Sequence, residues 1–140
     1  MKNNICHFIP YHKDYHSIHT INFVLETKPQ KSERLISESP YKMHYVCEGE
    51  GIIHVPEKKL PLKKGDVFFT FPAYPYSIES TRNFSYMYIS YIGSRSGLIM
   101  EKTGINSERF LFENCSEVKD HWKKAIDSDS DVSRWMAESV

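Results

Sequence analysis

Two glycine turns with fixed punctuation around them most constrain this chain. Gly49-Glu50-Gly51 closes the apolar run 43–47, and Lys63-Lys64-Gly65-Asp66 precedes the dense apolar run Val67-Phe68-Phe69. Phe71-Pro72-Ala73-Tyr74-Pro75-Tyr76 then supplies a proline-rich turn. Glycine tolerates positive φ and proline cannot donate to a ladder, so both mark strand ends. Strand-like runs fall at 18–25, 41–48, 51–55, 67–71, 76–79 and 83–92. Short strands with turn signals every ~8–12 residues point to an all-β sandwich or barrel.

The texture changes after Gly93. Residues 94–102 read as a short helix, with Gly104 as its stop. Residues 105–112 fit no single period. Ser116 is placed to begin a helix whose apolar stripe is Val118, Trp122, Ala125 and Ile126. Val132, Trp135, Met136 and Val140 start another stripe that runs to the last residue, which predicts a chain continuing beyond it. The expected division is a barrel with its first helix over 1–104 and a helical extension over 105–140.

A chain of 140 residues is long enough for one domain with a real core. Its 18 basic and 18 acidic residues cancel, which removes the global electrostatic reason to hold nucleic acid. Cys6, Cys47 and Cys115 form no Cys-x-x-Cys pair and are odd in number, which suits free thiols in a reducing compartment. There is no secretory leader pattern and no apolar run near the ~20 residues of a membrane helix. We therefore expect a cytoplasmic protein with no membrane partner.

Candidate chemistry is sparse. His12, His16 and His19 have helical spacing, but Pro10 precedes them and no His-Glu-x-x-His pattern accompanies them, so exposed histidines are expected. Cys47 sits inside a strand pattern, where a small buried hydrophobe is the default. No nucleophile elbow or phosphate loop is present. Tyr74, Tyr76, Phe84, Tyr86, Tyr88 and Tyr91 serve either as core or as a ring platform for a small polar ligand. If Lys42 faces inward, strand alternation takes His44 and Val46 with it.

The order of these turns resembles the cupin barrel. More narrowly, the run Tyr41-Lys42-Met43-His44-Tyr45-Val46-Cys47-Glu48-Gly49-Glu50-Gly51, with Leu60-Pro61-Leu62-Lys63-Lys64-Gly65-Asp66-Val67-Phe68 and the proline-rich turn, resembles the N-terminal domain of AraC-family transcription regulators. Tyr88-Ile89-Ser90-Tyr91-Ile92-Gly93 is similar to that family's closing strand. The resemblance covers residues 34–104 and implies a mainly β, cupin-like jelly-roll barrel followed by C-terminal helices. It also implies a domain that binds a small effector, often a sugar, and supports homodimerisation in the full-length protein. DNA would be bound only by a helix-turn-helix domain absent from this chain.

The same resemblance bears on metal and on ligand. Where metal-dependent cupins carry Glu and His, this chain has Lys42 and Tyr76; an ammonium repels a cation and neutral tyrosine is a poor ligand. We expect no metal, no cofactor and no enzymatic activity. Alignment to the arabinose-responsive member places its sugar-contacting Arg on Arg34, its pocket Tyr on Ile78, and its strand His and Trp near Met87 and Ile89. Thr20 corresponds to an N-terminal Thr. The expected ligand-binding set is thus Arg34, Lys42, His44, Tyr76, Ile78, Met87 and Ile89, with Arg34 at the mouth. The alternatives are a small metal-dependent cupin isomerase or dioxygenase, and a stand-alone sugar-binding barrel.

Overall fold

The computed structural model describes residues 5–7, 19–27 and 34–127. The histidines at 12 and 16 and the stripe from Val132 to Val140 lie outside them. Among the described residues, seven strands and two helices follow in chain order: β1 Ile5–His7, β2 His19–Glu26, β3 Tyr41–Val55, β4 Lys58–Lys63, β5 Val67–Thr70, β6 Ser77–Ile92, α1 Ser94–Thr103, β7 Leu111–Phe112 and α2 Glu117–Asp127. All pairings are antiparallel. The order across the sheet is β1-β2-β6-β3-β5-β7, with β4 also on β3. This is the mainly β, cupin-like architecture expected, with helices C-terminal to the sheet.

Two corrections concern strand ends. Residues 49–51 do not end a strand. Strands expected over 41–48 and 51–55 form the single strand β3, and those over 76–79 and 83–92 form the single strand β6. The two pair from Tyr41↔Tyr91 to His54↔Ser77, with register shifts between Val46 and Gly51. Gly49 adopts φ 74° at those shifts, opposite Asn83 at φ 45°. A Cβ on Gly49 would stand 2.1 Å from the Arg82 carbonyl oxygen, so only glycine lets the backbones meet there. Bulges of this kind bend a strand and raise its twist, which is how one long ribbon can serve two walls of a barrel.

Gly65-Asp66 is the turn expected. Gly65 has φ 91°, and the Asp66 carboxylate accepts from the Lys63 amide at 2.9 Å. The Gly65 amide in turn donates to the Val46 carbonyl and the Val46 amide to the Asp66 carbonyl, so the turn is tied to β3.

The helix ends as read. Gly104 takes a left-handed conformation and donates to Glu101, while the Ile105 amide reaches back to the Met100 carbonyl. That pair of bonds is a Schellman motif and satisfies two orphan carbonyls. The segment after it is not wholly helical, contrary to the extension expected over 105–140. Asn106 and Arg109 pair around a turn, β7 adds to β5, and α2 follows. Phe110 is buried at 2 % exposure, and the Phe69 amide donates to its carbonyl. An apolar anchor of this size holds the extension onto the sheet.

Register assigns the two faces. Residues directly opposite one another share a face, and faces alternate along a strand. Lys42, His44 and Val46 pair with Ser90, Tyr88 and Tyr86 on one side. Lys42 and His44 pair with Thr70 and Phe68 on the other. These make the inner face. Met43 and Tyr45, with Ile89 and Met87, make the opposite one. That outer face is also buried: Tyr91 reaches Met100 of α1, and Phe69 meets Phe112 edge-on. Both faces of this half of the sheet are therefore core.

Candidate functional site

The inner face holds a polar cluster inside an aromatic shell. Lys42 Nζ lies 2.6 Å from Glu38 Oε2, and Tyr76 Oη donates to Glu38 Oε1 at 2.6 Å. The ammonium also sits 4.5 Å from the centre of the Tyr88 ring, where the negative face of the ring attracts it. Glu38 arrives from the stretch ahead of β3. That stretch is held by reciprocal backbone bonds between Ile36 and Tyr76 and by the Ala73 amide on the Glu38 carbonyl.

His44 lies at the centre of the shell. Its ring stacks on Phe68 with centroids 4.2 Å apart, and Tyr76, Tyr86 and Tyr88 surround it at 5.5–6.2 Å. Nδ1 is 3.2 Å from the Phe68 carbonyl oxygen. A carbonyl only accepts, so Nδ1 carries the proton and Nε2 the lone pair. Burial, together with the Lys42 charge, drives the His44 pKa down to about 3, against a smaller opposing pull from the Phe68 carbonyl. At neutral pH the ring is uncharged.

The other titrating groups follow the same logic. Burial pushes the Glu38 carboxyl upward, but hydrogen bonds from Lys42 and Tyr76 outweigh it and hold the group below the ordinary carboxylate value. Burial, and then donation to Glu38, raise the Tyr76 hydroxyl far above its usual range. Tyr86 and Tyr88 are raised chiefly by burial. Each phenol stays protonated and able to donate. The site thus offers a cation, a carboxylate, neutral hydroxyls and a neutral imidazole among flat rings.

The structure brings four of the expected residues to the inner side of the sheet. Lys42 and His44 share the inner face with Val46, and Tyr76 joins them through Glu38. Ile78 is also inward, because it pairs with Ile53. The Ile53 face is fixed by Gly51, whose added Cβ would meet the Phe84 ring at 3.0 Å, and Phe84 packs on Tyr86. Ile78 therefore belongs to the apolar end beyond the bulge. Arg34 is exposed and stands four residues before Glu38. Thr20 pairs with Tyr91 at the far side of β2 and is buried.

Met87 and Ile89 are corrections. They pair with Tyr45 and Met43 and face away from Lys42, toward the helical side. Tyr86 and Tyr88 occupy the inward positions instead. Counting along the chain from the glycine turns crosses several register shifts, and a slip of one residue exchanges the faces. Glu38 was missed altogether. Its one sequence signal is a carboxylate four residues ahead of Lys42, with Pro40 between them.

A separate open groove of about 480 Å³ lies on the outer side, walled by Tyr41, Phe71 and Tyr74 and by Met100 of α1. It shares no residue with the inner cluster. Among the described residues no group of three His, Cys, Asp or Glu side chains is placed to hold a metal ion.

The family model for the AraC-like ligand-binding domain matches residues 37–134, which takes in β3, β5, β6, both helices and the whole polar cluster. The chain belongs to the AraC-like ligand-binding domain family. An oxalate-binding protein of Thermotoga maritima is 41% identical over 46 residues, which are 33% of this chain and 38% of that protein. Among solved structures, the YhaK protein of Escherichia coli superposes with a TM-score of 0.53 at 10% identity, over 67% of this chain and 46% of that one. Oxalate decarboxylase of Bacillus subtilis superposes with a TM-score of 0.45 at 16% identity, over 66% of this chain and 33% of that one. The chain thus spans less than half the length of each of these proteins. The AraC-like domain assignment agrees with a barrel whose polar groups point inward; the YhaK likeness concerns fold alone.

Proposed function

We propose that this AraC-like domain is the regulatory, effector-binding and dimerisation part of a cytoplasmic transcription regulator, with DNA contacted by a helix-turn-helix domain outside this sequence. The observation that carries it is the convergence of Lys42, Glu38 and Tyr76 beneath Tyr88 on the inner face. Buried polar groups of fixed direction among aromatic walls are what a small-ligand site needs. Sugars suit such rings and donors. The name of the Thermotoga relative favours a second ligand class, small carboxylates.

A binding role without catalysis fits the acid–base state of these groups. A general base works best with a pKa near the operating pH. His44 is far below it and Tyr76 far above. Cys47 is pushed up to about 11, chiefly by burial, so it is a poor nucleophile at neutral pH. No helix among the described residues is long and apolar enough to cross a membrane.

Effector binding would act by population shift. A ligand held on the inner face must bind one arrangement of the domain better than another. The reciprocal Ile36–Tyr76 bonds connect the cluster to the stretch ahead of β3 and give it a route to the surface.

A thermal-shift screen of sugars and small organic acids against the 140-residue protein tests this reading. Hits should stabilise the wild type, lose their effect in Tyr76→Phe, and come back chemically unchanged after incubation. Conversion of a hit to product would move the protein to the enzyme class. Sequence-specific, salt-sensitive DNA binding by this chain alone would overturn the division of labour. Sedimentation of the full-length regulator checks dimerisation.

A further inference from the structure

Glu38 takes the effector-binding reading one step further, and the step rests on that reading. Lys42 Nζ and Tyr76 Oη each donate at 2.6 Å, to different oxygens of one carboxylate. One cation and one neutral hydroxyl, each on its own oxygen, form a carboxylate receptor. The carboxylate that fills it belongs to the chain itself. It comes from the stretch ahead of β3, outside any strand. Its side chain is 31% exposed, whereas that of Lys42 is 10% exposed and Tyr76 is buried. Glu38 therefore covers the receptor from the solvent side.

We propose that Glu38 is an intramolecular stand-in for the carboxylate of a small carboxylic-acid ligand, which enters by displacing Glu38 from Lys42 and Tyr76. The exchange keeps charge balanced at the buried end: one carboxylate replaces another beside the ammonium, while Glu38 turns toward water. The exchange is reversible and breaks no covalent bond. Because Tyr76 and Ile36 share two backbone hydrogen bonds, releasing Glu38 alters what holds this stretch to the barrel. Occupancy of the receptor is thereby reported at the surface.

A neutral polyol would use the site in the opposite way. Its hydroxyls would donate to Glu38, so the carboxylate would be required. Removing Glu38 thus has opposite signs for the two ligand classes.

Isothermal titration of the 140-residue protein, with oxalate as the carboxylate probe and arabinose as the neutral one, separates them. The variants are Glu38→Ala, Glu38→Gln and Glu38→Ala with Lys42→Met, each checked for folding by circular dichroism. Oxalate should bind Glu38→Ala at least tenfold more tightly than wild type, and the double variant should lose the gain. If Glu38→Ala does not fold, Glu38→Gln should show the same direction. Unchanged or weaker oxalate binding in the folded variants, or a gain that survives the loss of Lys42, overturns the proposal. Arabinose that binds wild type and is lost in both Glu38 variants also overturns it, while leaving the effector-binding reading standing. Absence of binding by both probes, joined to an empty thermal-shift screen, sinks the two together.

Discussion

His44 lies flat on the Phe68 ring and is hydrogen-bonded to the carbonyl of that same residue. One partner thus fixes both the plane of the imidazole and its tautomer. The two residues are direct cross-strand partners of β3 and β5, so the contact is set by register and does not depend on a flexible loop.

This geometry makes His44 a source of acid sensitivity. An unfolded histidine titrates near 6.5, and His44 in the fold near 3. Between those values the unfolded chain binds a proton that the folded chain refuses. Stability therefore falls as pH drops through this window, by up to about 1.4 kcal/mol per pH unit, and is unaffected above it. Urea melts at pH 6, 5 and 4 should show a slope for wild type steeper than that of His44→Gln by close to one proton. Parallel slopes would mean that His44 is protonated in the fold.

The Lys42–Glu38 pair should couple. Lys42→Met leaves the half-buried Glu38 carboxylate with Tyr76 but no cation, and we expect a loss of about 1–2 kcal/mol. Glu38→Gln in the same background should recover part of it. A double-mutant cycle by chemical denaturation measures the interaction, expected at about 1 kcal/mol. The Glu38 contribution is present above the unfolded carboxylate pKa and disappears as pH falls below it, because the folded value is lowered.

Gly49 and Gly65 should respond differently to alanine. Both have positive φ, but a Cβ at Gly49 strikes the Arg82 and Asn83 carbonyls, while one at Gly65 meets nothing within 4 Å. Gly65→Ala should cost about 1–2 kcal/mol from backbone strain. Gly49→Ala should cost more than about 2 kcal/mol, since the bulge must also move. Thermal melts of the two variants rank them. Equal losses would show that β6 yields easily at Asn83.

Divalent metal should not bind the inner cluster tightly. Lys42 occupies a position where a carboxylate would be needed, Glu38 is engaged with it, and His44 Nδ1 is committed to Phe68. Elemental analysis of untagged protein should give well under one equivalent of Zn, Fe or Mn, and adding Mn²⁺ should not raise the melting temperature. One equivalent lost on His44→Gln would reverse this expectation.

Local chemistry made much of the fold legible. The Gly65-Asp66 turn, the Gly104 helix stop, the mainly β character and the shared face of Lys42, His44 and Val46 all follow from φ preferences, strand propensity and two-residue alternation. Each depends on neighbours a few positions away. Such neighbours are present in the sequence itself.

Tertiary structure decided the rest. Whether Gly49 ends a strand or bulges within one depends on β6 passing alongside, which no local signal contains. The register shifts around that bulge set which of Tyr88 and Ile89 points inward, because one extra residue exchanges the faces. Glu38 carries no local signal of its role. It became the centre of the site only when the chain brought Tyr76, far along the sequence, within 2.6 Å of it. The sequence by itself determined a barrel with inward polar residues on β3. The closing of that barrel determined which side chains meet, since hydrogen bonds and ion pairs act over a few ångströms and carry no record of distance along the chain.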